Sequence, residues 1–361
     1  MIFDIDTQGA MGTMTDIDFT PLKGLKFNCL EGCGFCCSFP AEVRQWEKNF
    51  QLILEKDAGA FRKWDDGHPC LDGIYTFKQH NDRGACIFLK ENKRCGIYDI
   101  RALLCRTFPV KFFFGWRLQL YPSMSCRGFS DDESSDMILL GKEAMAEIPA
   151  DQINKMLGES KEMYASLPER IANYIPPEIL QNKLLEYVDK MTFEPWDISD
   201  VSRAEFEAEL SSENFIDLPT YLTEGLDWQV FKLEGDFVRR ILLNRTGETE
   251  NIDSIVYSNL SVKPFSSEAV EAISRYLRLI ASTDHFIGVV YRKAIEQKAD
   301  GNQLPDIATS ELDKVKELFF LKASLLAEFE KREHVTEKTV EDTIILYDGY
   351  LATVPAFGMI L

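Results

Sequence analysis

Nine cysteines stand between Cys29 and Cys126, and the rest of the 361-residue chain has none. So uneven a distribution needs a cause, and structural cysteines have two common ones, disulfides and metals. Disulfides fit poorly. The count is odd, and the neighbours Cys36 and Cys37 are awkward to bridge. The N-terminal stretch MIFDIDTQGAMGTMTDIDF has neither the basic nor the apolar region of a secretory leader. The expected location is therefore the cytoplasm, where thiols stay reduced. Metal binding is the better reading. A segment stapled by metal–thiolate bonds needs less hydrophobic core than an ordinary domain, so the cysteines constrain this part of the fold most.

Charge divides the chain in the same place. The whole carries a net charge of −19, but residues 23–127 hold 17 Lys and Arg against 11 Asp and Glu. Residues 128–361 hold 23 against 44, and the first 22 residues add four acids and no base. The basic balance around the cysteines suits thiolate anions. The acidic remainder would repel phosphates, so no nucleic-acid partner is expected; it reads first as a solvated acidic surface, and would also suit a basic, lysine-rich protein partner by charge complementarity. A composition 45% hydrophobic and 27% charged is that of a globular protein with a real core. No apolar run approaches eighteen residues, so no membrane span is expected. Three parts follow: an acidic arm over 1–22, a cysteine module over 23–130, and a mostly helical acidic domain over 131–361. The cap-rich SDDESSD is the expected junction.

The predicted fold class is α+β, a small cysteine-rich module with short hairpins ahead of a mostly helical domain carrying one antiparallel hairpin or small sheet. In the module, AEVRQWEKNFQLILEKDAGAFRKW carries Val43, Trp46, Phe50, Leu52, Ile53 and Phe61 at near-helical spacing, with Pro40 suited to a first turn. DDGHPCLDG is a turn cluster. ACIFLKENKRCGIY reads as two short strands about KENKR, DIRALLC as a short helix ended by Pro109, and VKFFFGWRLQLY as a hairpin near Gly115. Helices are predicted over about 132–146, 151–165, 177–191, 201–210, 267–298, 310–332 and 337–351. WQVFKLEGDFVRRILLN predicts a hairpin about Gly235–Asp236, with IDSIVYS as a third strand. Tyr276, Leu277, Ile280, Phe286, Leu318, Leu321 and Leu325 read as core stripes.

The candidate ligands are Cys29, Cys33, Cys36, Cys37, Cys86, Cys95, Cys105 and Cys126, with Arg94, Arg101, Arg106 and Arg127 near them in sequence. Structural zinc usually takes paired C-x2-C knuckles, and only Cys33–Cys36 has that form. Single cysteines at C-x8-C-x9-C-x20-C added to one dense loop are more typical of an iron–sulfur cluster, so iron–sulfur is favoured over zinc. Cys36 and Cys37 diverge in either extended or helical backbone, which points to two sites or to a second, non-ligating thiol. Cys70 sits apart in GHPCLDG and reads equally well as a free turn cysteine, with His68 a solvated neighbour. CLEGCGFC also fits C-x3-C-x2-C with an aromatic before its last cysteine, the spacing of radical S-adenosylmethionine (SAM) enzymes. The strand–helix alternation and Gly-rich strand of that fold do not follow, so the match reads as local.

The segments FNCLEGCGFCC, CIFLKENKRCGIYDIRALLCRTFPV and SCRGF together resemble the CxxCxxCC, or YkgJ-type, zinc- or iron-chelating family. The likeness includes Cys33, Cys36, Cys37, Cys86, Cys95, Cys105 and Cys126, together with Tyr98, Arg101, Arg106, Phe108 and Pro109. Two features depart from it: Cys29 and Cys33 are spaced C-x3-C rather than C-x2-C, and Ala102 replaces the usual proline. The resemblance covers about 100 residues and implies a metal-binding module. The layout is also similar to that of flagellin lysine N-methylases, which implies SAM-dependent methyl transfer to protein lysines. The chain shows no GxGxG loop after a strand, the usual SAM-binding signal.

Overall fold

The computed structural model of the chain describes residues 17–38, 41–63, 74–82, 84–129, 135–168, 171, 175–193, 198–213, 218–223, 227–351 and 354–360. The expected turn DDGHPCLDG, with Cys70 and His68, lies outside them, as do Pro40 and most of SDDESSD.

Small sheets and irregular loops make up the first third of the molecule, and long helices most of the rest, which is an α+β architecture. Among the described residues, no helix is long and apolar enough to cross a membrane. Strand β1 (Ile17–Asp18) leads into a turn whose Leu22 is fully buried, and β2 (Lys26–Phe27) precedes the cysteine loop. The near-helical stretch after that loop is not one helix. Glu42–Arg44 forms β3, Phe50–Lys56 a short helix, and Phe61–Lys63 β4, and both strands pair with β5 (Ile74–Phe77). Cross-strand contacts decided the matter: Val43 sits opposite Tyr75, while Leu52, on the supposed apolar stripe, is 46% exposed. The KENKR turn is present but its shoulders are too short for strands; a single bridge, Leu89–Cys95, closes it.

Two further expectations for the module hold. A helix over Leu103–Thr107 stops before Pro109, and β6 (Val110–Phe114) and β7 (Leu118–Pro122) form the hairpin about Gly115. A two-residue strand β8 (Ser135–Asp136) pairs with β2. Helices follow at Met137–Ala146, Ala150–Ala165, Pro177–Asp189 and Asp200–Leu210, and then a sheet of β9 (Thr220–Leu222), β10 (Trp228–Glu234), β11 (Phe237–Leu243) and β12 (Thr249–Val256). The apolar pattern 267–298 is two helices, Ser267–Ala281 and Asp284–Glu296. The Thr283 hydroxyl caps the second by accepting from the Phe286 amide at 3.3 Å. Leu304–Phe329 starts six residues before the expected position, with Pro305 in its first turn, and Glu337–Leu351 completes the bundle. All seven residues read as core stripes are buried.

Residues far apart in sequence lock the cysteine-bearing part to the helices. The C-terminal strand β13 (Met359–Ile360) completes the sheet β1-β7-β6-β13 by pairing with Phe114 and Phe113. Arg117 makes a bidentate pair with the fully buried Asp284, at 2.7 and 2.9 Å, and also reaches Asp18 at 2.8 Å. On the opposite side, the β11–β12 turn docks on Asn81 and Ala85. Asn81 donates to the Thr246 carbonyl at 2.6 Å, and the Ala85 amide donates to the Arg245 carbonyl at 2.9 Å.

Candidate metal centre

The first cysteine loop turns tightly because Gly32 and Gly34 adopt φ of +68° and +63°, a region that residues with a Cβ rarely enter. Beyond them Phe35–Ser38 makes a 3₁₀ turn, and the Cys37 amide closes onto the Gly34 carbonyl at 3.1 Å. Phe35 anchors the loop in a small apolar core with Leu222, Trp228, Val230 and Ile345, and Arg127 covers its ring at 5.6 Å. Two backbone bonds bring the other cysteines to it. The Cys86 amide donates to the Cys37 carbonyl at 2.7 Å, and the Asn28 amide to the Gly128 carbonyl at 2.8 Å. The second contact needs glycine, because a Cβ at residue 128 would lie 2.5 Å from the Asn28 oxygen.

Eight cysteines among the described residues are unbridged, and each interacts electrostatically with at least one other. Their interactions fall into two overlapping groups that share Cys36. Cys37 hydrogen-bonds with Cys36 and Cys95 and feels Cys86, while Cys105 feels Cys86 and Cys95; Cys37, Cys86, Cys95 and Cys105 form the inner set. Cys126 feels Cys33, Cys36 and Cys29, and these four form the outer set. Cys36 also acts on Cys86 and Cys105, so it joins the two.

The thiols differ in acidity. The hydrogen bond from Cys37 pulls the Cys95 thiol down to about 6 and lowers Cys36 as well. Those bonds, made to both neighbours, and burial push Cys37 strongly up. Burial raises Cys86 to about 11, Cys126 to about 12 and Cys105 well above the usual thiol range. Cys29, the exposed member, is raised by what burial it has and then by Cys36 and Cys33. A single cation favours the ionised state of several members at once: Arg101 acts on Cys29, Cys36, Cys95 and Cys105. Its guanidinium stacks 3.9 Å over the Tyr98 ring and donates to the Tyr98 and Cys105 carbonyls, at 3.1 and 3.3 Å. The other three arginines are engaged elsewhere. Arg94 pairs with Glu31, Arg106 with Glu147 at 3.2 Å, and Arg127 donates to the Leu222 carbonyl at 2.9 Å.

The donor set suits a thiophilic metal. Next to Cys37 and Cys126 in sequence, the buried hydroxyls of Ser38 and Ser125 have no hydrogen-bond partner among the described residues. Among the described residues, however, no group of three or more Cys, His, Asp or Glu side chains is closed around a common metal-sized point. The eight cysteines expected as ligands lie in this region with Arg101 and Tyr98 beside them. Sequence reasoning missed Ser38 and Ser125, which carry no spacing signal, and the clamp of Trp228 and Ile345 on Phe35, which only the fold brings together.

Residues 28–124 match the CxxCxxCC family model, described as "Putative zinc- or iron-chelating domain". The match covers about a quarter of the chain and stops two residues short of Cys126. An uncharacterised protein of Methanocaldococcus jannaschii is 32% identical over 93 residues, 24% of this chain and 47% of that protein. The match thus spans about half the length of that relative. No solved structure matches the chain.

Proposed function

We propose that the two thiol sets are two four-cysteine metal sites, Cys37, Cys86, Cys95 and Cys105 in one and Cys29, Cys33, Cys36 and Cys126 in the other, and that they hold iron–sulfur centres. The observation that supports this reading is that Cys126 interacts with Cys29, Cys33 and Cys36 while Cys37 interacts with Cys86 and Cys95, with the hydrogen-bonded Cys36 and Cys37 at the junction of the two groups. Scattered single cysteines support iron over zinc, and Arg101 offsets part of the charge of the thiolates. A centre with four thiolate ligands can carry electrons or brace the fold, but it has no open position for a substrate. The test is iron, zinc and acid-labile sulfide analysis of the full chain purified without oxygen, with a visible spectrum. A brown protein with iron and sulfide is expected. Colourless protein with zinc and no sulfide would replace this reading with a zinc-stapled interaction module.

Two wider proposals rest on less. The acid excess of residues 128–361 supports docking of a basic, lysine-rich protein, and the overall layout supports SAM-dependent methylation of its lysines. Incubation with labelled SAM and a lysine-rich protein, with and without the metal centres, tests methyl transfer directly. Without label on lysine, the function reduces to metal binding.

A further inference from the structure

A cavity of about 310 Å³ lies away from the cysteines, at the seam between the β6–β7 hairpin and the helical bundle. That size is at the small end of small-molecule sites, which span roughly 300–1,000 Å³. Its body is apolar, with Ile280, Phe286, Val289, Val315, Leu318 and Leu351 among its walls. Its polar end is built from four buried or half-buried groups on separate elements. Lys111 on β6 pairs with Asp348 of Glu337–Leu351 at 3.2 Å, and Tyr121 on β7 lies parallel to His285 of Asp284–Glu296, ring centres 6.4 Å apart.

Three of these groups are satisfied. Asp348 accepts from Lys111, from Ser123 at 3.4 Å and from Tyr276 at 3.4 Å. His285 Nε2 lies 3.2 Å from the Val354 carbonyl, which can only accept, so the proton is on that nitrogen. Tyr121 is the exception: it is 6% exposed, and its hydroxyl has no hydrogen-bond partner among the described residues. A buried hydroxyl without an acceptor is costly, and a ligand oxygen reaching it from the cavity would remove that cost. The charges of the lining balance. Lys111, Lys293 and Lys314 stand against Glu205, Glu311 and Asp348, with Lys314 on Glu205 at 2.6 Å. Nothing in that balance favours an ionic ligand.

We propose that this seam cavity binds an uncharged amphipathic molecule whose carbonyl oxygen accepts from the Tyr121 hydroxyl and whose apolar body lies along Val289, Val315 and Leu318. The site is independent of the metal centres, which share none of its residues. The probe that fits this description is the neutral fluorescent ketone 6-propionyl-2-(dimethylamino)naphthalene, titrated into the full metal-loaded chain. Saturable binding with one probe per chain and a blue-shifted emission is expected. The same naphthalene body carrying a carboxylate in place of the ketone should bind at least about tenfold more weakly, since burying its charge is not compensated. Tyr121→Phe, checked by thermal melting for an intact fold, should weaken the ketone roughly three- to tenfold, the worth of one hydrogen bond. Absence of saturable binding would overturn the proposal. So would carboxylate binding as tight as the ketone, or an unchanged affinity in a folded Tyr121→Phe protein, which would show that the hydroxyl does not reach the ligand.

Discussion

The helical body and the cysteine module both have to bury enough to offset the entropy of an ordered chain, and they do it with different materials. Between residues 267 and 351 the body packs Ile273, Leu277, Leu312, Phe319 and Leu325 at 0% exposure into one core that runs through every helix. The cysteine loops, apart from the β6–β7 hairpin that packs on the helices, have a smaller core of Ala41, Val43, Ile53, Phe77, Ile97 and Ala102, completed by sulfur: Cys86 inside it, and Cys37, Cys95 and Cys105 packed against it. Aliphatic side chains stabilise by leaving water, whatever else is present. Thiols that are to be thiolates stabilise only when a cation is there to meet them. The body is therefore expected to be stable by itself and the module to be conditional.

The largest effect should come from removing that condition. Replacing Cys36 and Cys37 together by serine takes one ligand from each proposed site, and metal content should fall below about a tenth of the wild-type value. Hydrogen exchange should then show lost protection over residues 28–38 and 84–105. The β6–β7 hairpin should keep its protection, because β13 and the helices hold it, and so should the helices of 267–351. Retention of full metal content in the double variant would defeat the assignment of both sites. Loss of protection over the whole chain would show that the two regions share one cooperative unit, and that the division near residue 130 has no thermodynamic meaning.

The next effect tests the seam that joins the regions. Arg117→Leu leaves Asp284 at 0% exposure without its bidentate partner, which should cost about 3–5 kcal/mol in urea unfolding. The loss should be greater at pH 8 than at pH 5. Burial already raises the Asp284 carboxyl to about 6 against the pull of Arg117, so at the lower pH it can escape its isolated charge by taking a proton. A cost below about 1 kcal/mol at pH 8 would mean that water reaches this pair, and that the regions are held mainly by β13 and the apolar contacts.

The contrast between the regions also explains what could be read from the sequence. In the body, one repeating contact decides each element, so the stripe Tyr276, Leu277 and Ile280 predicts a helix and a buried face together. The errors there were boundaries, such as the Thr283 cap inside an apolar pattern that runs on without a break. In the module, local pattern and final structure disagree. Val43, Phe50 and Phe61 are spaced like a helix, yet Val43 and Phe61 belong to strands whose partner, β5, lies beyond the turn. The cysteines were legible as a group because thiols in such number have few other uses. Their division was not, since it depends on the Cys86–Cys37 and Asn28–Gly128 backbone contacts, which bring together residues up to 100 positions apart.

A smaller effect separates the seam from the metal by its pH dependence. Burial depresses His285 to about 4, with Lys111 acting in the same direction. Between about pH 4 and 6.5 the unfolded chain therefore binds a proton that the folded chain does not, so His285 contributes stability above 6.5 that is lost on acidification towards 4. The full contribution is about 3 kcal/mol. The neighbouring Asp284 works oppositely over much of the same range, because its raised pKa favours folding at low pH. The informative quantity is hence the difference between wild type and His285→Gln, which keeps a donor for the Val354 carbonyl. That difference should shrink as pH falls from 7 to 4; a constant difference would mean that His285 titrates normally and is solvated.

The smallest effect is expected within the cluster itself, at Cys29. It is the one exposed cysteine of the eight, and its C-x3-C spacing departs from the family pattern. In the proposed outer site it faces solvent, whereas Cys33, Cys36 and Cys126 are shielded by the Phe35 anchor and the chain around Gly128. A ligand at an exposed corner can be replaced by water or by a serine oxygen with little rearrangement, and three thiolates still hold the metal. Cys29→Ser should therefore retain more than about half of the wild-type metal and lose less than about tenfold in resistance to a competing chelator. Cys36→Ser, at the junction of both sets, should lose far more. Equal losses in the two variants would place Cys29 on the same footing as the buried thiols. The outer site would then be closed by all four sulfurs, and the loop from Cys29 to Cys33 would have to fold inward when the metal binds.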